Sequence, residues 1–186
     1  MSLKLTEHLL ALTTTPPYSE ATQHSFLISA GQGNLPQSRL ALWLSQDRIY
    51  AAHAYPRFIG ALISRIPFSQ GDAISGASEK RKQEILQLLV KCLTNVVAEV
   101  AFFKETAEIF GLDMEKWAER KGTRDYTAEM ARISTTASLE DGLIFLWAME
   151  RVSHDNILQR HRCISAGVFR CMEQCQAVAL SICRLR

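Results

Sequence analysis

Three acidic residues lie on helix faces that are otherwise apolar, and their types and spacing could support chemistry. Residues three and four positions apart lie on the same side of a helix. The face that carries Asp47 consists otherwise of Leu40, Trp43, Tyr50 and Ala54. Because an unpaired carboxylate is costly to bury, we expect Asp47 to have a partner or a ligand.

Two further acids repeat this arrangement on later segments. Glu99 lies on a face formed by Leu89, Cys92, Leu93, Val96, Val100 and Phe103. Glu150 follows Leu143, Leu146 and Trp147 at helical spacing. Three helices would therefore each direct one carboxyl group toward a common interior.

Each of these residues also has a purely structural interpretation. Asp47 could pair with a buried arginine or cap a neighbouring helix, Glu99 could reach solvent from the rim of its face, and Glu150 could pair with Arg151 or with an adjacent helix. Trp43, Tyr50 and Trp147 could be ordinary core aromatics, and His24 an ordinary helix histidine.

The acids do not have the spacing of a metal site. A di-iron centre in a helical bundle needs a Glu-x-x-His pair on each of two helices, and the sequence contains no such pair. The clustered cysteines near the end of the chain lack the spacing of a zinc module. We therefore predict a pocket without metal or cofactor. It would hold a flat, amine-rich, weakly basic ring that stacks on tryptophan or tyrosine and donates its N–H groups to the carboxylates.

The elements that must position these residues are helices. Helical periodicity covers nearly the whole chain, without a convincing alternating strand. The predicted helices are one before Pro16-Pro17, 20–30, 35–55 up to a break or kink at Pro56, 58–65, a long helix from Ser78 to a stop at Gly111, 114–120, one near 126–133 capped by Thr123, and one capped by Ser138. The pattern predicts an all-α bundle in a single domain.

Composition narrows the function classes. The 186 residues carry a net charge of +2 with dispersed charges, which does not indicate a nucleic-acid partner. We found no apolar stretch of the roughly 18–20 residues needed to cross a bilayer, and no signal peptide. The sequence thus predicts a cytoplasmic protein without a membrane partner, whose five cysteines are free thiols.

Several blocks resemble the TenA/THI-4/PqqC family. They are His24-Ser-Phe-Leu, Gly31-Gln-Gly-Asn-Leu35-Pro36, Leu44-Ser-Gln46-Asp47-Arg-Ile-Tyr50, Ala98-Glu99-Val-Ala-Phe-Phe-Lys, Tyr126 after Thr123-Arg-Asp, and Trp147-Ala-Met-Glu150-Arg-Val152. The Gln-Asp-x-x-Tyr helix after a Gly-x-Leu-Pro-like turn is the most specific of these blocks. The resemblance covers about residues 20–152.

The resemblance implies a haem-oxygenase-like helical fold in homo-oligomers, within a domain of residues 1–152. It also implies hydrolysis of the C–N bond of an aminomethylpyrimidine in thiamine salvage. In that activity Asp47 would hold the amino group and ring nitrogen of the pyrimidine, Tyr50 and Tyr126 would orient the ring, and Glu150 would be the acid/base. Together with Trp43 and Glu99 from the residue pattern, these residues form the predicted site.

The sequence departs from the family at two places. Many members carry a cysteine nucleophile in the block that here reads Leu143 to Trp147 without cysteine, and Cys92 on another helix is expected to be a core thiol. This predicts the cysteine-lacking, fungal-like branch, in which a carboxylate assists attack by water. Residues 153–186 cannot be matched to the family and are interpreted as an alternative or mis-spliced tail, or as a divergent helix.

Two other functions remain open at this point. A catalytically silent ligand-binding or oligomeric interaction protein is the main alternative. A redox or haem-binding relative would require an axial histidine from His8, His24 or His53.

Overall fold

Helices form nearly all of the regular structure in the computed structural model, which describes residues 5–115 and 117–160, with side chains to residue 152. The α-helices are α1 (Leu5–Leu10), α2 (Tyr18–Thr22), α3 (Ser25–Gly31), α4 (Gln37–Ile49), α5 (Tyr55–Ser64), α6 (Ala77–Phe110), α7 (Lys121–Thr136) and α8 (Leu139–Arg160). No strand occurs within these residues. The predicted all-α fold class is confirmed.

The apolar face of α5 lies at the centre of the bundle, where α5 packs against both α6 and α7. Its buried residues, Tyr55, Phe58, Ile59 and Leu62, recur at the spacing of one helix face. The largest fully buried side chains of the other helices surround them: Leu44, Leu89, Met130 and Leu146. Helices that are distant in sequence are thereby fixed relative to one another.

A π-helical turn, Tyr50–Ala54, joins α4 to α5. Within it the Tyr55 N–H donates to the Tyr50 carbonyl, five residues earlier. Pro56 follows in the first turn of α5, where its missing N–H costs least. The predicted break or kink at Pro56 is thus a change from α-helix to π-helix just before the proline, and the chain stays helical from α4 into α5.

Two helix boundaries agree closely with their sequence signals. Gly111 ends α6 with φ +60°, a left-handed conformation that glycine adopts without steric cost, and the Leu112 N–H returns to the Ala107 carbonyl at 2.9 Å. At the start of α8 the Asp141 N–H donates to Ser138 Oγ at 3.1 Å. The Asp141 carboxylate in turn accepts the Ser138 backbone N–H at 3.3 Å, which makes a reciprocal cap.

Three predicted elements are wrong in detail. The segment predicted as one helix over 20–30 is two helices, because His24 begins α3 by accepting the Phe26 N–H at Nδ1, 3.2 Å away. The predicted helix 114–120 is absent from the described residues of that segment, where side chains bind backbone groups that a helix would need. Thr123 does not cap α7, which begins at Lys121 after Arg120.

The expectation that no segment is apolar enough to span a membrane is also wrong. By length and composition α6 could cross a membrane, and 28% of its most apolar stretch of 18 residues is buried. The core helix of a globular bundle meets the same criteria, and α6 contributes Leu89, Cys92, Val96 and Phe103 to the core. The predicted tail lies largely outside the described residues, since only the backbone of 153–160 is included.

We expect Gly142→Ala to destabilise the protein by about 1–3 kcal/mol, since a Cβ there would overlap the fully buried Leu62 side chain. Gly60→Ala on α5 is the matched control. A Cβ at position 60 meets no atom within 4 Å, and alanine there should stabilise the helix by about 0.5–1 kcal/mol. Urea denaturation of both variants measures the difference, and equal midpoints would contradict this packing.

Candidate functional site

A cavity of about 330 Å³ lies between α4 and α7. It is lined by Trp43, Gln46, Asp47, Tyr50, Gly122, Thr123 and Tyr126. One wall comes from a single face of α4 and the π-helical turn, and the other from the first turns of α7. This volume is at the small end of the range for ligand pockets, about 300–1,000 Å³, and suits a single ring with short substituents.

Glu150 is buried beside this cavity, with 4% of its surface exposed. The Tyr55 hydroxyl donates to Glu150 Oε1 at 2.7 Å. Burial and the nearby Glu150 charge raise the pKa of Tyr55 far above its usual range, so the hydroxyl keeps its proton and remains a donor. This hydrogen bond fixes the orientation of the carboxyl group of Glu150.

Glu99 interacts electrostatically with both of the other acids. Burial, followed by the negative charges of Asp47 and Glu150, raises the pKa of Glu99 from 4.5 to about 8. Glu99 on α6 is therefore close enough to Asp47 on α4 and to Glu150 on α8 for their negative charges to oppose its ionisation. At neutral pH Glu99 holds a proton.

Tyr50 lies among these groups. Its pKa is raised by burial first, then by Tyr126, Glu150, Glu99 and Asp47. Its ring centroid is 5.3 Å from that of Tyr126 and 5.7 Å from that of Tyr55. Tyr50 therefore connects the cavity wall to the buried acids.

The structure divides the predicted site residues into two groups. Trp43, Asp47, Tyr50 and Tyr126 line the cavity. Glu99 and Glu150 do not line it, but both interact electrostatically with Tyr50, which does. Of the three predicted acids, Asp47 lines the cavity, whereas Glu99 and Glu150 are set back from it.

Tyr55 was missed by the sequence analysis for a geometric reason. In a regular α-helix a residue five positions after Tyr50 points about 140° away from it. The π-helical turn changes this rotation and brings Tyr55 to Tyr50 and Glu150. The only available signal was Pro56, which indicates a disturbance of the helix without specifying its type.

Gln46, the residue before Asp47, also lines the cavity, although helical spacing did not predict it as a site residue. Its side chain bonds to the segment that leads into α7, 72–77 residues later. Contacts over such a separation leave no periodic signal in the sequence.

Among the residues that the structure describes, no activated thiol lies at this site. Cys92 is 1% exposed, and burial together with the Glu150 charge raises the pKa of its thiol to about 12. A buried thiol with a raised pKa is a poor nucleophile. Among the described residues, no group of three or more histidine, cysteine or acidic side chains is placed to hold a metal ion.

No family model matches the sequence. The chain is 31% identical over 147 residues to a protein of Fusarium pseudograminearum (strain CS3096) named "Probable transcription factor". That alignment covers 78% of this chain and 28% of the relative, so the chain spans little more than a quarter of the relative's length.

A solved structure provides the second comparison. The TenA homologue from Pyrococcus furiosus superposes with a TM-score of 0.69, over 90% of this chain and 75% of the homologue, at 14% identity. Similarity at this level of identity establishes the fold. The chain therefore has the all-helical, haem-oxygenase-like fold of TenA.

Proposed function

We propose that this chain is a TenA-like aminopyrimidine hydrolase of thiamine salvage, which cleaves the C–N bond at an aminomethyl carbon. The observation that carries the proposal is the coupling of Asp47, Glu99 and Glu150 beside a cavity of about 330 Å³. Titratable groups whose pKa values are strongly shifted by burial and by one another cluster at functional sites. The resemblance of the Gln46-Asp47-x-x-Tyr50 helix to the TenA/THI-4 pattern provides independent support.

The cavity wall supplies the groups that an aminopyrimidine requires. The Asp47 carboxylate accepts hydrogen bonds from the exocyclic amino group and from a protonated ring nitrogen. The rings of Trp43, Tyr50 and Tyr126 offer stacking surfaces for a flat heterocycle. A saturated amine could bond to Asp47 but could not stack on these rings.

Glu150 is the proposed acid/base. Because Glu150 lies behind the Tyr50 wall of the cavity, it acts through one intervening water molecule. Through it, Glu150 takes up a proton from the attacking water as the oxygen bonds to the aminomethyl carbon, and it returns a proton to the nitrogen as the C–N bond breaks. The products are ammonia and the hydroxymethylpyrimidine. Tyr55 acts through Glu150 as a positioning residue, since its hydroxyl donates to Oε1.

The proposal includes a homo-oligomer in the cytoplasm, without cofactor and without a nucleic-acid or membrane partner. It also places the chain in the cysteine-lacking branch. Cys92 is buried and weakly acidic, which supports direct attack by water over a thiol nucleophile.

A second candidate is a catalytically silent TenA-like ligand-binding or interaction module. The high thiol pKa of Cys92, the cysteine within the described part of the chain, favours it. The name of the Fusarium relative, of which this chain spans 28%, also fits a ligand-sensing part of a larger regulatory protein. Binding without turnover would favour this candidate.

Asp47→Asn should weaken binding of 4-amino-5-aminomethylpyrimidine by about 10-fold or more, because a charge-assisted hydrogen bond contributes about 1.5–3 kcal/mol. Asp125→Asn is the matched control, since Asp125 is exposed on α7 and pairs with Lys121. Isothermal titration calorimetry gives both affinities. Equal affinity of the wild type and Asp47→Asn would remove Asp47 from the site.

Glu150→Gln should lower the rate of ammonia release by about 100-fold, the smaller end of the usual contribution of a general acid/base. Glutamine can still accept the Tyr55 hydrogen bond, so the fold should be retained. Glu140→Gln on the exposed side of α8 is the control. Full activity of Glu150→Gln would rule out this role, and a wild type that binds without releasing ammonia would favour the silent module.

Glu99→Gln should change the pH dependence of stability in a defined direction. The folded-state pKa of Glu99, about 8, is above its usual 4.5, so the folded protein binds the extra proton and loses stability as pH rises between these values. The melting temperature of the wild type should fall relative to that of Glu99→Gln from pH 5 to pH 8. Exposed Glu105→Gln is the control, and parallel profiles for wild type and Glu99→Gln would contradict the raised pKa.

A further inference from the structure

The amide of Gln46 uses both of its polar atoms in contacts with distant parts of the chain. Oε1 accepts the backbone N–H of Arg120 at 2.7 Å and the hydroxyl of Thr123 at 2.8 Å. Nε2 donates to the Ala118 carbonyl at 3.1 Å and to Ser45 Oγ at 3.3 Å. Two acceptor and two donor positions are thus occupied, which is the full capacity of a glutamine side chain.

These bonds join the two walls of the cavity. Arg120 is the residue from which α7 begins, and Thr123 lies in its first turn. The other wall is the face of α4 that carries Gln46 itself. The length of the Gln46 side chain therefore fixes how far the start of α7 stands from α4.

We propose that Gln46 is a specificity-determining residue, whose side chain sets the width of the cavity and thereby its preference for one flat ring over two fused rings. This inference rests on the proposed function, because it takes an aminopyrimidine as the ligand. At about 330 Å³ the cavity is near the lower end of the range for ligand pockets, so a small change in the spacing of its walls alters which ligands fit.

No other common side chain can make this set of bonds. Asparagine is one methylene shorter and cannot span the same gap. Glutamate keeps the acceptors for Arg120 and Thr123 but has no donor for the Ala118 carbonyl, and it adds a negative charge next to Asp47. Leucine fills the space without any of the bonds.

The first test measures, without any ligand, whether Gln46 holds the start of α7 in place. In Gln46→Ala the backbone amide of Arg120 should exchange with deuterium at least about 10-fold faster, because it loses its acceptor and the start of α7 opens locally. Gln37→Ala is the matched control. Gln37 is on the same helix and also bonds a distant backbone group, the Phe110 carbonyl at 2.6 Å, but does not line the cavity. Unchanged exchange at Arg120 in Gln46→Ala would overturn the inference.

The second test measures selectivity with 4-aminopyrimidine and 4-aminoquinazoline, which present the same amino group and ring nitrogen on one and two rings. The wild type should prefer the single ring, and Gln46→Ala should reduce the ratio of the two affinities by about 10-fold, the usual scale for a change in pocket shape. Gln37→Ala should keep the wild-type ratio. A ratio in Gln46→Ala equal to that of the wild type would contradict the specificity role.

Thr123→Val provides a second variant in case Gln46→Ala does not fold. It removes one bond to Gln46 and keeps the size of the side chain, and should shift exchange and selectivity in the same direction by a smaller factor. If neither the exchange at Arg120 nor the ratio of affinities shifts in a folded Thr123→Val or Gln46→Ala protein, the inference is wrong. A wild type that binds neither ring contradicts the proposed function, and exchange at Arg120 then decides alone whether Gln46 holds α7 in place.

Discussion

Burying carboxyl groups close together costs free energy, because each loses hydration and each negative charge repels the others. In this bundle Asp47, Glu99 and Glu150 share that environment. Glu99 relieves part of the repulsion because its pKa of about 8 keeps it protonated at neutral pH. The Tyr55 hydroxyl compensates part of the cost at Glu150 with a hydrogen bond. A site that was selected for stability alone would replace such acids with apolar side chains. Their presence together beside a cavity is the physical reason to assign this region a chemical role.

The rest of the fold holds this arrangement in place. The apolar face of α5 fixes α6 and α7 around it, and the π-helical turn Tyr50–Ala54 sets the rotation between the residues that line the cavity and those that contact Glu150. π-Helical turns within α-helices are often found at functional sites. At the α7 wall, the Gln46 amide bonds to the Ala118 carbonyl and the Arg120 N–H, which would bond within the helix if α7 began earlier.

The helices and the inward position of the acids could be predicted because both depend on local spacing. Asp47 with Tyr50 and Trp43, and Glu150 with Leu146 and Trp147, follow the periodicity of a regular helix. Tyr55 could not be found in this way, since its position depends on a π-helical turn. The absence of a helix in the described part of 114–120 was equally hidden, because the Gln46 side chain more than 70 residues earlier binds the Ala118 carbonyl and the Arg120 N–H. Local patterns carry no information on such contacts.

The coupling of the three acids is most directly tested by a carbon-13 NMR titration of the Glu99 side-chain carboxyl group in the wild type, Asp47→Asn and Glu150→Gln. In the wild type the carboxyl group should titrate with a pKa of about 8, and each substitution should lower that pKa by removing one nearby negative charge. A Glu99 carboxyl group that titrates near its usual 4.5 in all three proteins would show that the acids do not share one interior, and the proposed chemistry would lose its basis.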